Sequence, residues 1–115
     1  MNTKENILAG ERTQERQAID GGGWFNLARA QAFGEDSWWN GSNHISRATG
    51  SQWEHERLFI TRKGVYVLNR SSDYQGSGES WTRISAKEGV EWLIRNEHEI
   101  PQDKALQEAL ASTEV

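Results

Sequence analysis

The stretch that decides the fold is QWEHERLFITRKGVYVLNRS, residues 52–71. Two runs rich in β-branched, aliphatic and aromatic residues, 52–61 and 65–71, flank a loop at 62–64 that ends in glycine. A three-residue loop with glycine in its left-handed position commonly joins two antiparallel strands. We therefore predict a β-hairpin across this stretch.

The register of this hairpin follows from pairing Thr61 with Val65, and it sorts the side chains onto two faces. One face carries three cross-strand pairs, which are Ile60–Tyr66, Leu58–Leu68 and Glu56–Arg70. We expect the apolar pairs to belong to the core and the charged pair to have the ordinary surface value of about 0.5 kcal/mol. The opposite face is amphipathic and carries Trp53, His55, Arg57, Phe59 and Val67.

Further elements follow the hairpin. The segment WTRIS at 81–85 predicts a third strand. Ser85 and Glu88 have the spacing of a capping box, and an apolar stripe continues to Asn96, so we predict a helix at 86–96. A short final helix follows Pro101. The expected fold class is α+β, with a small antiparallel meander of about three strands packed against a C-terminal helix.

The N-terminal part has weaker signals. Residues 1–20 have mixed charges and few large aliphatic side chains, which predicts a flexible or helical arm ahead of a single domain at 21–115. The favoured structure at 27–33 is a short helix, because Asn26 suits an N-cap and good helix formers follow it. A strand is the alternative, since three apolar residues then share one face: Phe25, Leu27 and Phe33.

Composition narrows the class of protein. The chain has 115 residues, 35% of them hydrophobic, with six Trp and a net charge of −4. This is the size of one domain, whose small core depends on aromatic rings. An acidic chain is not typical of a general duplex-DNA binder. The absence of Cys excludes disulfides and thiolate metal sites and suits a cytoplasmic location. We expect no signal peptide and no membrane span.

Catalytic and metal signals are weak. His55 and its neighbours Glu54 and Glu56 alternate between faces of one strand, so we expect no metal site there and no cofactor. No G-x-S-x-G motif is present. A triad of His55, Asp73 and either Ser77 or Ser80 can be drawn, because the hairpin register brings Trp53 near Asp73. A small hydrolase-type enzyme is therefore only an alternative function.

The composition fits a recognition function better than a catalytic or metal-binding one. Aromatic rings with nearby arginines bind single-stranded nucleic acid, at about 1–3 kcal/mol per stacked base, and they also form hot spots of protein interfaces. Core packing is favoured for Trp53 and Trp81, and one ring of the Trp38–Trp39 pair is expected to be buried. The polar loop at 71–80 is long enough to carry function. The candidate binding residues are Trp38, Trp39, His44, Trp53, His55, Arg57, Phe59, Tyr74 and Gln75.

The middle of the chain resembles a family of small uncharacterised bacterial proteins. The similar segments are WNGSNHIS at 39–46, TGSQWEHERLF at 49–59, TRKGVYVLN at 61–69, DYQGSGESWTRIS at 73–85 and EWLIRN at 91–96. Family members have Trp where this chain has Tyr74. The resemblance implies a bacterial cytosolic accessory protein and no particular activity.

These observations favour a non-enzymatic binding or interaction module. Its partner would be an unknown protein or a second copy of the chain. The first alternative is a regulatory protein that binds single-stranded nucleic acid on the aromatic face.

Overall fold

The computed structural model describes residues 15–74 and 76–115 and confirms the α+β class. These ranges contain eight strands, one 3₁₀ turn and two α-helices. The strands are β1 (Arg16–Ala18), β2 (Trp24–Asn26), β3 (Gln31–Gly34), β4 (Ser37–Trp39), β5 (His44–Ser46), β6 (Glu54–Ile60), β7 (Tyr66–Ser72) and β8 (Ser80–Ile84). The helices are α1 (Ala86–Arg95) and α2 (Lys104–Thr113), and the 3₁₀ turn is Leu27–Arg29.

The central hairpin β6–β7 has the predicted register. Its pairs include Ile60–Tyr66, Leu58–Leu68 and Glu56–Arg70. The Thr61 amide donates to the Val65 carbonyl at 2.8 Å, and Gly64 has a φ of 80°, as the loop type requires. With β3 and β8 the hairpin forms a four-stranded antiparallel sheet of order β3-β6-β7-β8. The sheet therefore has one strand more than the predicted three-stranded meander.

The two helices cover one face of this sheet, as predicted for the first of them. The capping box of α1 is present: the Ser85 hydroxyl accepts from the Glu88 amide, and the Glu88 carboxylate accepts from the Ser85 amide. Asn96 caps the other end. The buried side chains between helices and sheet form the first core, which contains Leu58, Tyr66, Val90, Trp92, Leu93 and Leu106.

The β1–β2 hairpin covers part of the opposite face. The second core lies beneath it and contains Ile19, Phe25, Phe59, Val67 and Trp81. The ring of Phe25 lies 5.8 Å from that of Phe59 and 6.0 Å from that of Trp81. Phe59 is only 3% exposed, which corrects its prediction as a binding residue, whereas the core position of Trp81 is confirmed.

The helix predicted at 27–33 is wrong. Asn26 does cap a turn, since its side chain accepts from the Arg29 amide, but the turn is 3₁₀ and ends at Arg29. Residues of β3 then pair with β6, Gln31 opposite Ile60. A seven-residue helix has little stability of its own, and the ladder with β6 outweighs it. The strand alternative is confirmed for β3.

The structure also differs from the prediction of a flexible or helical N-terminal arm, in the part of that arm that it describes. Residues 1–14 lie outside the described residues. Arg16–Ala18 form β1 and pair with β2, so this segment is neither helical nor separate from the domain. The glycines at 21–23 all have positive φ and turn the chain between the two strands.

Within the described part of the chain, no helix combines the length and apolar character needed to cross a membrane.

Candidate functional site

His55 lies between two carboxylates. Its Nδ1 is 2.7 Å from Oε2 of Glu35, and its Nε2 is 2.8 Å from Oδ2 of Asp73. Glu35 follows β3 and Asp73 follows β7, and both strands pair with β6, which carries His55. The three side chains therefore meet at one end of the sheet. We call Glu35, His55 and Asp73 the His55 cluster.

Glu35 is held by further hydrogen bonds. Its Oε1 accepts from the Ser46 hydroxyl at 2.7 Å and from the backbone amide of Glu56 at 2.8 Å. Ser46 is itself buried. Glu35 was not among the predicted site residues, because its approach to His55 depends on how β3 pairs with β6, and no local pattern around Glu35 indicates that pairing.

The two carboxylates favour the charged form of His55. Both ring nitrogens face carboxylate oxygens, and only imidazolium can donate from both. The hydrogen bond to Glu35 raises the pKa of His55 above its ordinary 6.5, the bond to Asp73 raises it further, and partial burial opposes them. The His55 ring therefore keeps its positive charge at pH values where an isolated histidine is neutral, and the two carboxylates balance that charge.

The alternative catalytic triad of His55, Asp73 and a serine lacks a contact between the serine hydroxyl and the His55 ring. Asp73 does bond to His55, but it occupies Nε2, so both ring nitrogens are engaged and none is left for Ser77 or Ser80. Proton transfer to a substrate would first require Asp73 to leave. The described residues also contain no group of three or more His, Cys, Asp or Glu side chains able to hold a metal ion.

We expect the His55 cluster to make stability depend on pH. Because the pKa of His55 is raised in the folded protein, its contribution is complete below pH 6.5 and is lost as pH rises through the folded-state pKa. A third of the side chain is exposed, so solvent screening limits the effect to about 1 kcal/mol. Urea unfolding of the wild type and of His55→Gln at a series of pH values from about 6 upward measures this contribution to the free energy of unfolding.

The comparison with His55→Gln removes the contribution of the other histidines, which both proteins share. The stability advantage of the wild type should shrink as pH rises from about 6, where carboxylates remain ionised. An advantage that stays constant would contradict the assigned charge state.

Glu56 points to the helix-covered face and is 6% exposed. Its Oε1 accepts from Trp92 Nε1 at 2.9 Å, and its Oε2 accepts from Arg70 Nη1 at 3.1 Å. Arg70 also donates to Glu54 at 3.2 Å. The predicted Glu56–Arg70 pair is confirmed, but its treatment as a surface pair is wrong, because the carboxylate belongs to a buried network anchored on α1.

Trp53 and Tyr74 form an exposed aromatic pair next to the His55 cluster. Their ring centroids are 5.3 Å apart, and the residues are 44% and 56% exposed. The Asp73 amide donates to the Trp53 carbonyl at 2.8 Å, which brings the two residues together. The core position favoured for Trp53 is therefore wrong. We call this pair the Trp53–Tyr74 surface.

Trp38, Trp39 and His44 lie on a separate hairpin formed by β4 and β5. The expectation that one Trp is buried is wrong, since the two residues are 45% and 57% exposed. Trp39 packs edge-on against His44 with 5.1 Å between centroids. Among the described residues, no ring contact joins this hairpin to the Trp53–Tyr74 surface.

The remaining predicted residues lie elsewhere. The Arg57 guanidinium packs over the ring of Phe59 at 5.2 Å and donates to the buried Asn69 at 3.2 Å, so it covers the rim of the second core. Gln75 lies outside the described residues.

Comparisons with family models, with curated proteins and with solved structures find no match to this chain. The resemblance to small bacterial proteins stays a prediction. The assignment of function therefore rests on the geometry of the site.

Proposed function

We propose that the protein is a non-enzymatic binding module that recognises another protein through the Trp53–Tyr74 surface and the adjoining His55 cluster. The observation that carries this proposal is the pair of large rings, which touch each other yet remain about half exposed. Tyr and Trp are enriched among the residues that dominate binding energy at protein interfaces.

Backbone hydrogen bonds support a preorganised surface. The Trp53 amide donates to the Ser51 hydroxyl at 2.9 Å, and the Tyr74 amide donates to the Ser72 hydroxyl at 3.1 Å. The two backbones are joined through the Asp73 amide. A partner would therefore lose less affinity to ordering these rings than to ordering a mobile loop.

The charge next to the rings favours a partner with basic side chains. The carboxylate of Asp73 is exposed beside Tyr74, and it shares the single cation of His55 with the carboxylate of Glu35. Aromatic faces and carboxylates together suit Lys or Arg of a partner. A nucleic-acid strand at this surface would place its phosphates against the same carboxylates, which is unfavourable.

The absence of cysteine supports a cytoplasmic location as part of this proposal. A second copy of the chain is the other candidate partner for this surface. Sedimentation of the purified chain tests it, because a self-associating chain sediments as an oligomer when no other protein is present.

We expect Trp53→Ala to weaken partner binding at least about tenfold, which corresponds to about 1.4 kcal/mol. The partner is first captured in cells by a photo-crosslinking amino acid placed at Tyr74, and its affinity for the purified chain is then measured by calorimetry. Because Trp53 is half exposed, the substitution should leave the fold intact, with a stability change within about 1 kcal/mol.

Trp39→Ala is the matched control, since Trp39 is exposed on the separate β4–β5 hairpin. It should change the affinity less than about twofold. Equal affinities of the wild type, Trp53→Ala and Tyr74→Ala for the captured protein would contradict the proposed surface.

A further inference from the structure

The His55 ring can bond both of its carboxylates only while it is charged. Glu35 and Asp73 accept from opposite nitrogens of the ring, at 2.7 and 2.8 Å. A neutral imidazole has a single N–H, and its other nitrogen carries a lone pair. Loss of one proton therefore sets that lone pair against a carboxylate oxygen, and one of the two contacts breaks.

The surroundings of the two carboxylates decide which contact breaks. Only 18% of the Glu35 side chain is exposed, and its Oε1 also accepts from the Ser46 hydroxyl and the Glu56 amide. These part-buried donors would lose their acceptor if Glu35 turned away. The Asp73 side chain is 58% exposed, so water can replace its bond to the ring. The proton of neutral His55 therefore stays on Nδ1, and Asp73 is released.

The charged groups around the ring come from two neighbouring elements. Among the described residues, those that act on the pKa of His55 are Glu35, which follows β3, and Asp73, which follows β7. The neighbours of His55 on β6, Glu54 and Glu56, point to the face that the helices cover. Charged His55 balances one of the two cluster carboxylates, and neutral His55 balances neither.

Release of Asp73 leaves the aromatic pair in place. Backbone hydrogen bonds position the two rings: the Asp73 amide donates to the Trp53 carbonyl, and the Tyr74 amide donates to the Ser72 hydroxyl. Neither bond involves the His55 ring. Deprotonation therefore changes the charge of the Trp53–Tyr74 surface and the direction of one carboxylate, while the two rings stay together.

We infer that the proton of His55 regulates the Trp53–Tyr74 surface: when the proton leaves, Asp73 turns to solvent and accepts from a cationic side chain of the partner. A Lys or Arg over the ring of Trp53 then meets a carboxylate that imidazolium no longer balances. The proton and the cation oppose each other, so affinity for a cationic partner rises with pH. This inference rests on the proposed function, because it concerns the same surface.

The direction of the pH dependence follows from the charge of the ring. The bonds to Glu35 and Asp73 raise the pKa of His55 above 6.5. The surface is therefore in its weaker-binding form at about pH 6 and passes to its tighter-binding form as pH rises through the folded-state pKa.

NMR titration of the full chain tests the release of Asp73 without any partner. We expect the neutral ring of His55 to carry its proton on Nδ1, and the carboxylate signal of Asp73 to shift at the same midpoint as the ring. In Asp73→Asn this midpoint should fall, since one of the carboxylates that favour imidazolium is absent. A neutral ring protonated on Nε2, or an unchanged midpoint in Asp73→Asn, would overturn the inference.

The effect on binding is measured with a capped tetra-arginine peptide, whose charge is constant between about pH 6 and 9. The indole signal of Trp53 reports its affinity. We expect the wild type to bind the peptide about fivefold more tightly at the higher pH, and His55→Gln to bind it equally at both. His44→Gln is the matched control, since His44 is exposed on the separate β4–β5 hairpin, and it should keep the pH dependence.

Three results of the peptide titration would contradict the inference: no binding, equal affinity of the wild type at both pH values, or a pH dependence that persists in His55→Gln. Circular dichroism at both pH values confirms that the variants are folded. The captured partner distinguishes a failure of the proposed function. Equal affinities of the wild type and Trp53→Ala for it contradict the surface itself, whereas a loss in Trp53→Ala together with pH-independent peptide binding contradicts only the regulation by His55.

Discussion

Replacing Leu93 with alanine should lower the free energy of unfolding by about 2–5 kcal/mol. Leu93 lies on α1 in the first core and has no exposed surface. The substitution removes apolar contacts with the sheet and leaves a cavity that a packed core fills only in part. Urea denaturation followed by circular dichroism measures the loss.

The next residue on the helix is the control. Ile94 is 47% exposed, so Ile94→Ala should cost less than about 1 kcal/mol. The two variants lose side chains of similar size at adjacent positions of α1, and they differ in the face that they occupy. Similar losses from both would mean that α1 does not pack on the sheet through Leu93.

Replacing Glu56 with alanine should lower the free energy of unfolding by about 3 kcal/mol. Trp92 Nε1 loses its acceptor in the first core, where water does not readily replace it. Arg70 is less affected, because it is half exposed and keeps its bond to Glu54. The loss is measured by urea denaturation, as for Leu93.

Glu54 provides the matched control for this substitution. It bonds to the same Arg70, but 40% of its side chain is exposed, so Glu54→Ala should cost about 0.5 kcal/mol. The variant Trp92→Phe removes the indole donor together with part of the buried ring, so it should cost stability both through the lost hydrogen bond and through the cavity left behind. Equal costs for Glu54→Ala and Glu56→Ala would contradict the buried network.

Elements with local signals were predictable from the sequence. The glycine loop at 62–64 fixes the hairpin register within twenty residues, and Ser85 and Glu88 begin α1 by a capping box three residues apart. That register also placed Trp53 beside Asp73, so one of the two carboxylate contacts of His55 could be expected.

Features that depend on distant pairing were not predictable. The sequence of β3 favours a helix, and only the ladder with β6 makes it a strand and delivers Glu35 to His55. In the sequence, Phe59 and Val67 look like one face of an amphipathic strand. They belong to a core because the β1–β2 hairpin packs over them. Glu56 resembles a surface charge because its buried donor, Trp92, comes from a helix thirty-six residues later.

The length of β6 has a geometric consequence for an interacting protein. His55 near its start belongs to the His55 cluster, and Thr61 just past its end lines a cavity of about 300 Å³ beside the loop at 62–64. Six residues of extended chain span about 20 Å. The hairpin therefore sets a fixed separation between the His55 cluster and the loop at 62–64, and a partner that covers one end leaves the other end sterically accessible.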